Sequence, residues 1–335
     1  MKKNHFFLCV LCFILAACGS QDKNNMEIKH DKRDRVENVN KLLNVLSFEE
    51  VLTSRFAYIK IAGDYLLVSD LRSSDRLIHL YNKKTYKYCG STGDLGQGPG
   101  EIASLGPIAY DDYKCLLYVL DYGSMNVYSF NINKAISDTD YLPEIKCKID
   151  KNSFPIEFVY VNDTLCYGAF SIPKGNDVQD ISGKWNMLTG DVITHKQEYP
   201  GLKVERVVSD YSLKNKLIVE CSTRYDLMNI INEDLSLKHR IYGPNWNKNG
   251  DYKSHFKSVV FYKDYIIASY DGTKYEEYNK PKVCHVFDLD GNYIKTLDIG
   301  YRIWRMSVDE NNDRLFFTFD DEIQFGYLDL KGILN

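Results

Sequence analysis

Four glycines and a proline fall within nine residues, Gly93 to Glu101, in the run GDLGQGPGE. Glycine at this density is what a phosphate-cradling loop requires. However, Pro99 and the lack of a helical pattern after the run exclude both the dinucleotide fingerprint and the P-loop. The run reads instead as a rigid turn between strands, with Gln97 and Glu101 as its polar groups. Asp288-Leu289-Asp290-Gly291-Asn292 imitates a calcium loop, but its glycine comes too early and Ile299 stands where a bidentate glutamate belongs. It predicts a hairpin turn. The seven histidines show no HExxH spacing, and no GxSxG elbow occurs. His255 with a distant acid is the remaining candidate general base. No metal and no cofactor are expected.

Lys2, Lys3 and the apolar run HFFLCVLCFILAA precede Cys18. The run is too short for an ordinary membrane span. The end of this segment, LAAC (Leu15 to Cys18), resembles a bacterial lipobox. That resemblance implies a signal peptide over 1–17 and a lipidated Cys18 as the mature N-terminus, the membrane being the partner it anchors to. Gly19 in place of aspartate favours the outer membrane, with the exposed face left open. Cys89, Cys115, Cys147, Cys166, Cys221 and Cys284 are scattered and never form CxxC, so a zinc site is not indicated. Free cysteines in apolar strands behave as small buried hydrophobes. Export would permit disulfides, but the spacing specifies none.

The remaining candidates are groups suited to binding. Gln97, Arg206, Trp246, His255, Tyr275, Arg302 and Trp304 lie in or beside the longer polar connections. Tryptophan and tyrosine offer flat amphipathic surfaces for a sugar, a peptide or a protein partner. The two arginines offer forked donors for a carboxylate or sulfate.

Elements that would bring such distant residues together are visible as a repeat. GDYLLVSD, CLLYVLD, DTLCYGAF, NKLIVECS, DYIIASYD and DRLFFTFD align on Leu66, Leu117, Leu165, Leu217, Ile266 and Leu315, about 50 residues apart. Within the first unit, RFAYIKI, YLLVSD, RLIHLYN and YKYCGS predict strands a to d, with AGD and KKT as tight turns. Four strands per unit and six units predict an all-β, six-bladed β-propeller of four-stranded antiparallel blades. The loops from d to the next a, and from b to c, would share one face around the channel mouth. The a–b and c–d turns are read as short.

The sixth unit stops at Asn335 without a fourth strand. A ring closes by borrowing that strand, and the segment near Leu42 to Phe48 is the available donor. Residues 18–40 are polar and almost free of aromatics, and composition reads them as a disordered tether behind the lipid. The propeller is thus expected over 41–335.

GDYLLVSD, LIHLYNKKTYKYCG, GDLGQGPGEI and LLYVLDYGSMNVYSFNI, behind a lipobox, resemble the TolB-like six-bladed propeller lipoproteins of Bacteroidetes. The resemblance is best over about residues 60–130 and thins beyond to repeat pattern alone. It implies fold and a cell-envelope location and carries no catalytic residues. Formal net charge is −4, which argues against nucleic acid, since phosphate backbones need clustered Lys and Arg. The expected function is a lipid-anchored binding or interaction module of the cell envelope, rather than an enzyme. The alternative is a lyase or hydrolase for glycans or peptides on the same scaffold.

Overall fold

The structure, a computed structural model, describes residues 26–138, 140–196, 206–246, 254–273 and 280–334. The signal peptide, Cys18 and the first part of the expected tether lie outside the described residues. Six four-stranded antiparallel sheets form the blades. Blade 1 runs a Ala57–Ala62, b Tyr65–Asp70, c Arg76–Asn82 and d Tyr88–Asp94; blade 2 runs Leu105–Asp111, Leu116–Asp121, Asn126–Asn131 and Glu144–Lys148. Blade 3 comprises Phe154–Asn162, Leu165–Lys174, Asp177–Trp185 and Val192–Thr194, and blade 4 comprises Val207–Ser212, Leu217–Ser222, Leu227–Asn232 and Leu237–Tyr242. Blade 5 consists of Phe256–Tyr262, Tyr265–Tyr270, Val283–Asp288 and Tyr293–Asp298, and blade 6 contributes Ile303–Asp309, Arg314–Phe319 and Phe325–Asp329.

Each blade is sandwiched between two others, so its middle strands are covered on both faces. This is why the b strands read as nearly continuous apolar runs rather than strict alternation: every residue of Leu217–Ser222 is buried. The core is accordingly a set of wedges between blades. Leu67 and Leu80 meet Ile108 and Phe130 between blades 1 and 2. Tyr167 stacks on Tyr211 at 3.9 Å between blades 3 and 4, and Ile267 and Val286 meet Phe317 and Leu328 between blades 5 and 6.

The ring closes as the incomplete sixth unit requires. Strand β3 (Asn44–Leu46), counted after two earlier N-terminal strands described below, pairs antiparallel with strand c of blade 6 in the register Leu46↔Phe325, Val45↔Gly326, Asn44↔Tyr327. Phe48 follows it into the wedge between blades 6 and 1, with ring centroids 4.3 Å from Tyr81 and 5.4 Å from Phe325.

Residues 26–40 overturn the tether expectation. β1 (Glu27–Lys29) adds a fifth, parallel strand to blade 4, and β2 (Val36–Asn38) adds one to blade 5. The Arg240 amide donates to the Met26 carbonyl at 2.7 Å and the Thr296 amide to Arg35 at 2.8 Å. These contacts are made by backbone, so polar side chains do not prevent them. Between the two strands, Arg33 turns inward and its guanidinium lies 2.7 Å from the fully buried Asp226. Val39, 1% exposed, enters the core between blades 5 and 6. The segment is a belt across the outer edges of blades 4, 5 and 6.

One c–d connection is also longer than expected. In blade 2 it carries the helix α1 (Ile132–Ser137), capped by the Asn131 side chain accepting from the Lys134 amide at 3.1 Å. The glycine-rich run is the turn its sequence implies. Glu101 folds back to accept from the Gly98 amide at 2.7 Å, and a Cβ on Gly96 or Gly98 would strike that carboxylate. Gln97 is exposed and Glu101 is spent on the loop itself. In blades 1 and 2, loops on this face are pinned by the acid that ends the b strand. Asp70 accepts from the Ser54 and Arg72 amides, and Asp121 from Ser104, Gly123 and Ser124.

Candidate functional site

The six a strands line a central cavity of about 750 Å³, within the range of small-molecule pockets. Ser254, Lys280 and Trp304 line it at the d–a end, and Leu213, Lys214 and Glu310 line it at the a–b end. Valine and isoleucine recur along the wall, and five inner strands each contribute a charged residue to it. These are Lys60 (blade 1), Glu157 (blade 3), Asp210 (blade 4), Lys257 (blade 5) and Arg305 (blade 6).

Three of these charges meet across the channel. Glu157 receives Lys60 Nζ at 3.0 Å on Oε1 and lies 3.7 Å from an Arg305 guanidinium nitrogen on Oε2. Blades 3 and 6 are opposite in a six-membered ring, so this cluster forms a bar through the middle of the cavity. Arg305 also lies over the Tyr58 ring at 4.4 Å and the Trp304 ring at 5.6 Å, and Tyr58 and Trp304 meet edge to face at 6.3 Å. Glu157 is aimed inward by a bulge in strand a between Pro155 and Glu157. Gly168 faces that bulge from strand b, and any Cβ there would collide with the Glu157 carbonyl.

Asp210 has a different role. Its carboxylate accepts from the Phe261 amide at 2.8 Å and from the Tyr211 amide at 2.9 Å. In the next two inner strands serine does the same work: Ser258 Oγ accepts from Met306 N and Ser307 Oγ from Ile61 N, both at 3.1 Å. Burial in the channel wall pushes the Asp210 carboxyl up to about 7, against the two amide hydrogen bonds, which favour the anion. Burial likewise lowers the Lys257 ammonium. Lys280 is paired with Asp320 at 2.6 Å and lies 5.9 Å over Trp304.

Two buried polar networks sit in the walls rather than in the channel. His195 Nε2 lies 3.4 Å from Glu220, which also accepts from the Ser182 amide at 2.9 Å and from Asn229 at 3.1 Å. Burial alone would raise Glu220, but His195 and these donors outweigh it and hold the carboxyl at about 2. Both side chains are enclosed between blades 3 and 4, where no substrate reaches them. The second network is Arg33, Asp226, Tyr270 and His255 between blades 4 and 5. Burial lowers the flanking His30 to about 4 and His285 to about 3. Among the described residues no group of three or more His, Cys, Asp or Glu side chains is placed to hold a metal ion.

Comparison with protein-family models and with curated proteins returns no match. Solved structures do align over most of the chain. BF0058 of Bacteroides fragilis matches with a TM-score of 0.56 and 14% identity over 88% of each chain. A DUF4221 family member of Bacteroides vulgatus matches with a TM-score of 0.55 and 14% identity, over 89% of this chain and 98% of that one. The chain shares their fold. At this identity the likeness extends no further.

The sequence-predicted residues are dispersed. Trp304 lines the channel cavity, and the others described do not. Arg206 holds Asp180 with both oxygens within 3.2 Å, and Arg302 donates to the Asp320 carbonyl at 2.7 Å beside Asp321. They stand on blades 4 and 6, each with its own acid, and do not form a paired fork. Trp246 packs against Tyr242 at 4.8 Å under Lys29 of the belt. His255 is buried, 3.2 Å from the Tyr270 hydroxyl. Gln97 is exposed on its loop, and Tyr275 lies outside the described residues. Sequence reasoning missed Lys60, Glu157, Asp210 and Arg305. Their signal was one charged residue inside each of four otherwise apolar a strands: AYIKIA, PIEFV, VVSDY and IWRMS.

Proposed function

We propose that this protein is a binding module of the cell envelope that takes a small ligand into the central channel of its propeller. The observation that carries this reading is the cavity itself, of ligand size, with a charged and aromatic cluster at its centre. In this cavity Glu157 is held between two cations and each Asp210 oxygen already accepts a backbone amide, so both carboxylates serve the wall and the bar. Binding therefore accounts for the site better than catalysis does. The envelope address rests on LAAC at Leu15–Cys18, and BF0058, of the same fold, carries the description of an exported protein. A lipid on Cys18, with the outer membrane as destination, completes the proposal.

The test is a screen of the purified chain against glycan and peptide arrays, repeated with Val208→Trp, which places an indole in the channel lining. Capture that survives Val208→Trp but fails on changing Gln97 or Arg206 would move the site to the outer face of the loops. Cys18→Ala is expected to leave the chain unprocessed or released from membranes on fractionation. A processed, membrane-bound variant would remove the lipid anchor from the proposal.

A further inference from the structure

The charges at the centre of the channel do not balance. Lys60 and Arg305 share one carboxylate, Glu157, and no other acid is ion-paired with either among the described residues. Asp210 is the nearby group that could complete the set, but its two oxygens face the Phe261 and Tyr211 amides. Its pKa, raised to about 7 by burial, further weakens it as a counter-charge near neutral pH. The bar therefore holds one cation in excess of the carboxylate it contacts, in a channel partly shielded from bulk water, where a charge interaction is stronger than in open solvent. Beside that cation stand the rings of Tyr58 and Trp304, the latter only half-buried. Lys280, at the d–a end of the same cavity, is already balanced by Asp320.

We propose that the channel site takes a small organic carboxylate carrying a ring, its carboxylate held by Arg305 and Lys60 and its ring against Trp304. This rests on the channel being the ligand site. A guanidinium and an ammonium around one carboxylate are strong charge-assisted donors, and the incoming anion supplies the negative charge the bar lacks. A neutral or cationic ligand of the same shape would leave that imbalance or deepen it.

The experiment uses the whole chain in detergent and two probe sets of similar shape and varied charge. One is galacturonate, galactose and 6-amino-6-deoxygalactose; the other is phenylacetate, 2-phenylethanol and phenethylamine. Binding is read by calorimetry and by the fluorescence of Trp304, with Trp304→Phe as the control against Trp185 and Trp246. The acid of one set should bind at least about tenfold more tightly than its neutral partner. Arg305→Gln and, as a second variant, Lys60→Gln should each weaken it by about tenfold. Glu157→Gln should strengthen it, because it removes the competing carboxylate. Each variant is checked for an unchanged melting temperature. The proposal is overturned if the neutral or amine probe binds as well as the acid, if Glu157→Gln weakens the acid, or if no acid gives a saturable response up to about 10 mM. The first of these, with a Trp304 response, would leave the channel as the site and remove only the charge assignment. An acid that binds regardless of Trp304→Phe and Val208→Trp would place the ligand elsewhere and remove both.

Discussion

Replacing Arg33 with methionine should detach the N-terminal belt at a large cost in stability. Asp226 is fully buried and its oxygens accept from Arg33 at 2.7 Å, the Tyr270 hydroxyl at 3.1 Å and the Asn245 amide at 3.2 Å. Without Arg33, a carboxylate remains out of water with only two neutral donors. Removing one partner of a buried pair costs about 3–5 kcal/mol, chiefly because the other charge is left uncompensated. Removing both charges together, as in Arg33→Met with Asp226→Asn, keeps an acceptor for Tyr270 and should recover about half of that loss or more. Arg35→Met, two residues away and exposed, should stay within about 0.5 kcal/mol of the parent. Urea unfolding measures these differences. Hydrogen exchange at the Arg240 and Thr296 amides, which donate to belt carbonyls, reports detachment separately from global unfolding. A loss under about 1 kcal/mol for Arg33→Met, with both amides still protected, would refute the view that this ion pair fastens the belt.

Acid should weaken the same region. His30 and His285 are held neutral down to about 4 and about 3, against an ordinary value of 6.5. The unfolded chain therefore binds protons that the folded one refuses, and stability should fall as pH drops from 6.5 towards 4. His285→Phe should flatten that slope in a denaturation series across this range. Gly168→Ala should cost about 1–3 kcal/mol in urea unfolding, since the added methyl overlaps the Glu157 carbonyl and must push the bulge outward. Deleting 41–50 should give an oligomerising product on size exclusion, because blade 6 loses its outer strand and the wedge beside blade 1 loses Phe48. Deleting 26–40 should also destabilise, by stripping two edge strands and the Arg33 contact; an unchanged urea midpoint would contradict that.

The blades were legible because their cause is local. Strands b and c of blade 1 were readable to the residue, Tyr65–Asp70 and Arg76–Asn82, since alternation and turn residues set their ends. Closure by the Leu42–Phe48 segment was readable as the strand missing from the last unit. The belt was not, because EIK and VEN attach through backbone groups that every sequence possesses. The channel bar escaped for a different reason. Four of the six a strands carry a bulge near their start, between Leu105 and Ile108, Pro155 and Glu157, Phe256 and Ser258, and Ile303 and Arg305. One extra residue exchanges the two faces of a strand, so alternation alone does not say that Glu157 and Arg305 enter the channel, whereas the strands of Lys60 and Asp210 carry no bulge and could have been read that way. Lys83 shows the same limit. It reads as a solvated turn residue, yet it is buried and bound to Asp309 at 3.0 Å.

The pairing of Asn44–Leu46 with Phe325–Tyr327 has a consequence for how the molecule comes into being. The strand that completes blade 6 is translated before any blade, and its partner belongs to the last of the six blades made. No nascent chain that lacks Phe325–Tyr327 can shut the circle, so each blade made along the way waits with an open flank. Contacts between such remote parts of a chain form slowly, and intermediates with unpaired strand edges are prone to stick to one another. Ring closure should therefore be the late, slow step of folding. The same step would decide whether a truncated product survives: losing Phe325–Asp329 removes not one strand but the lock for all six blades.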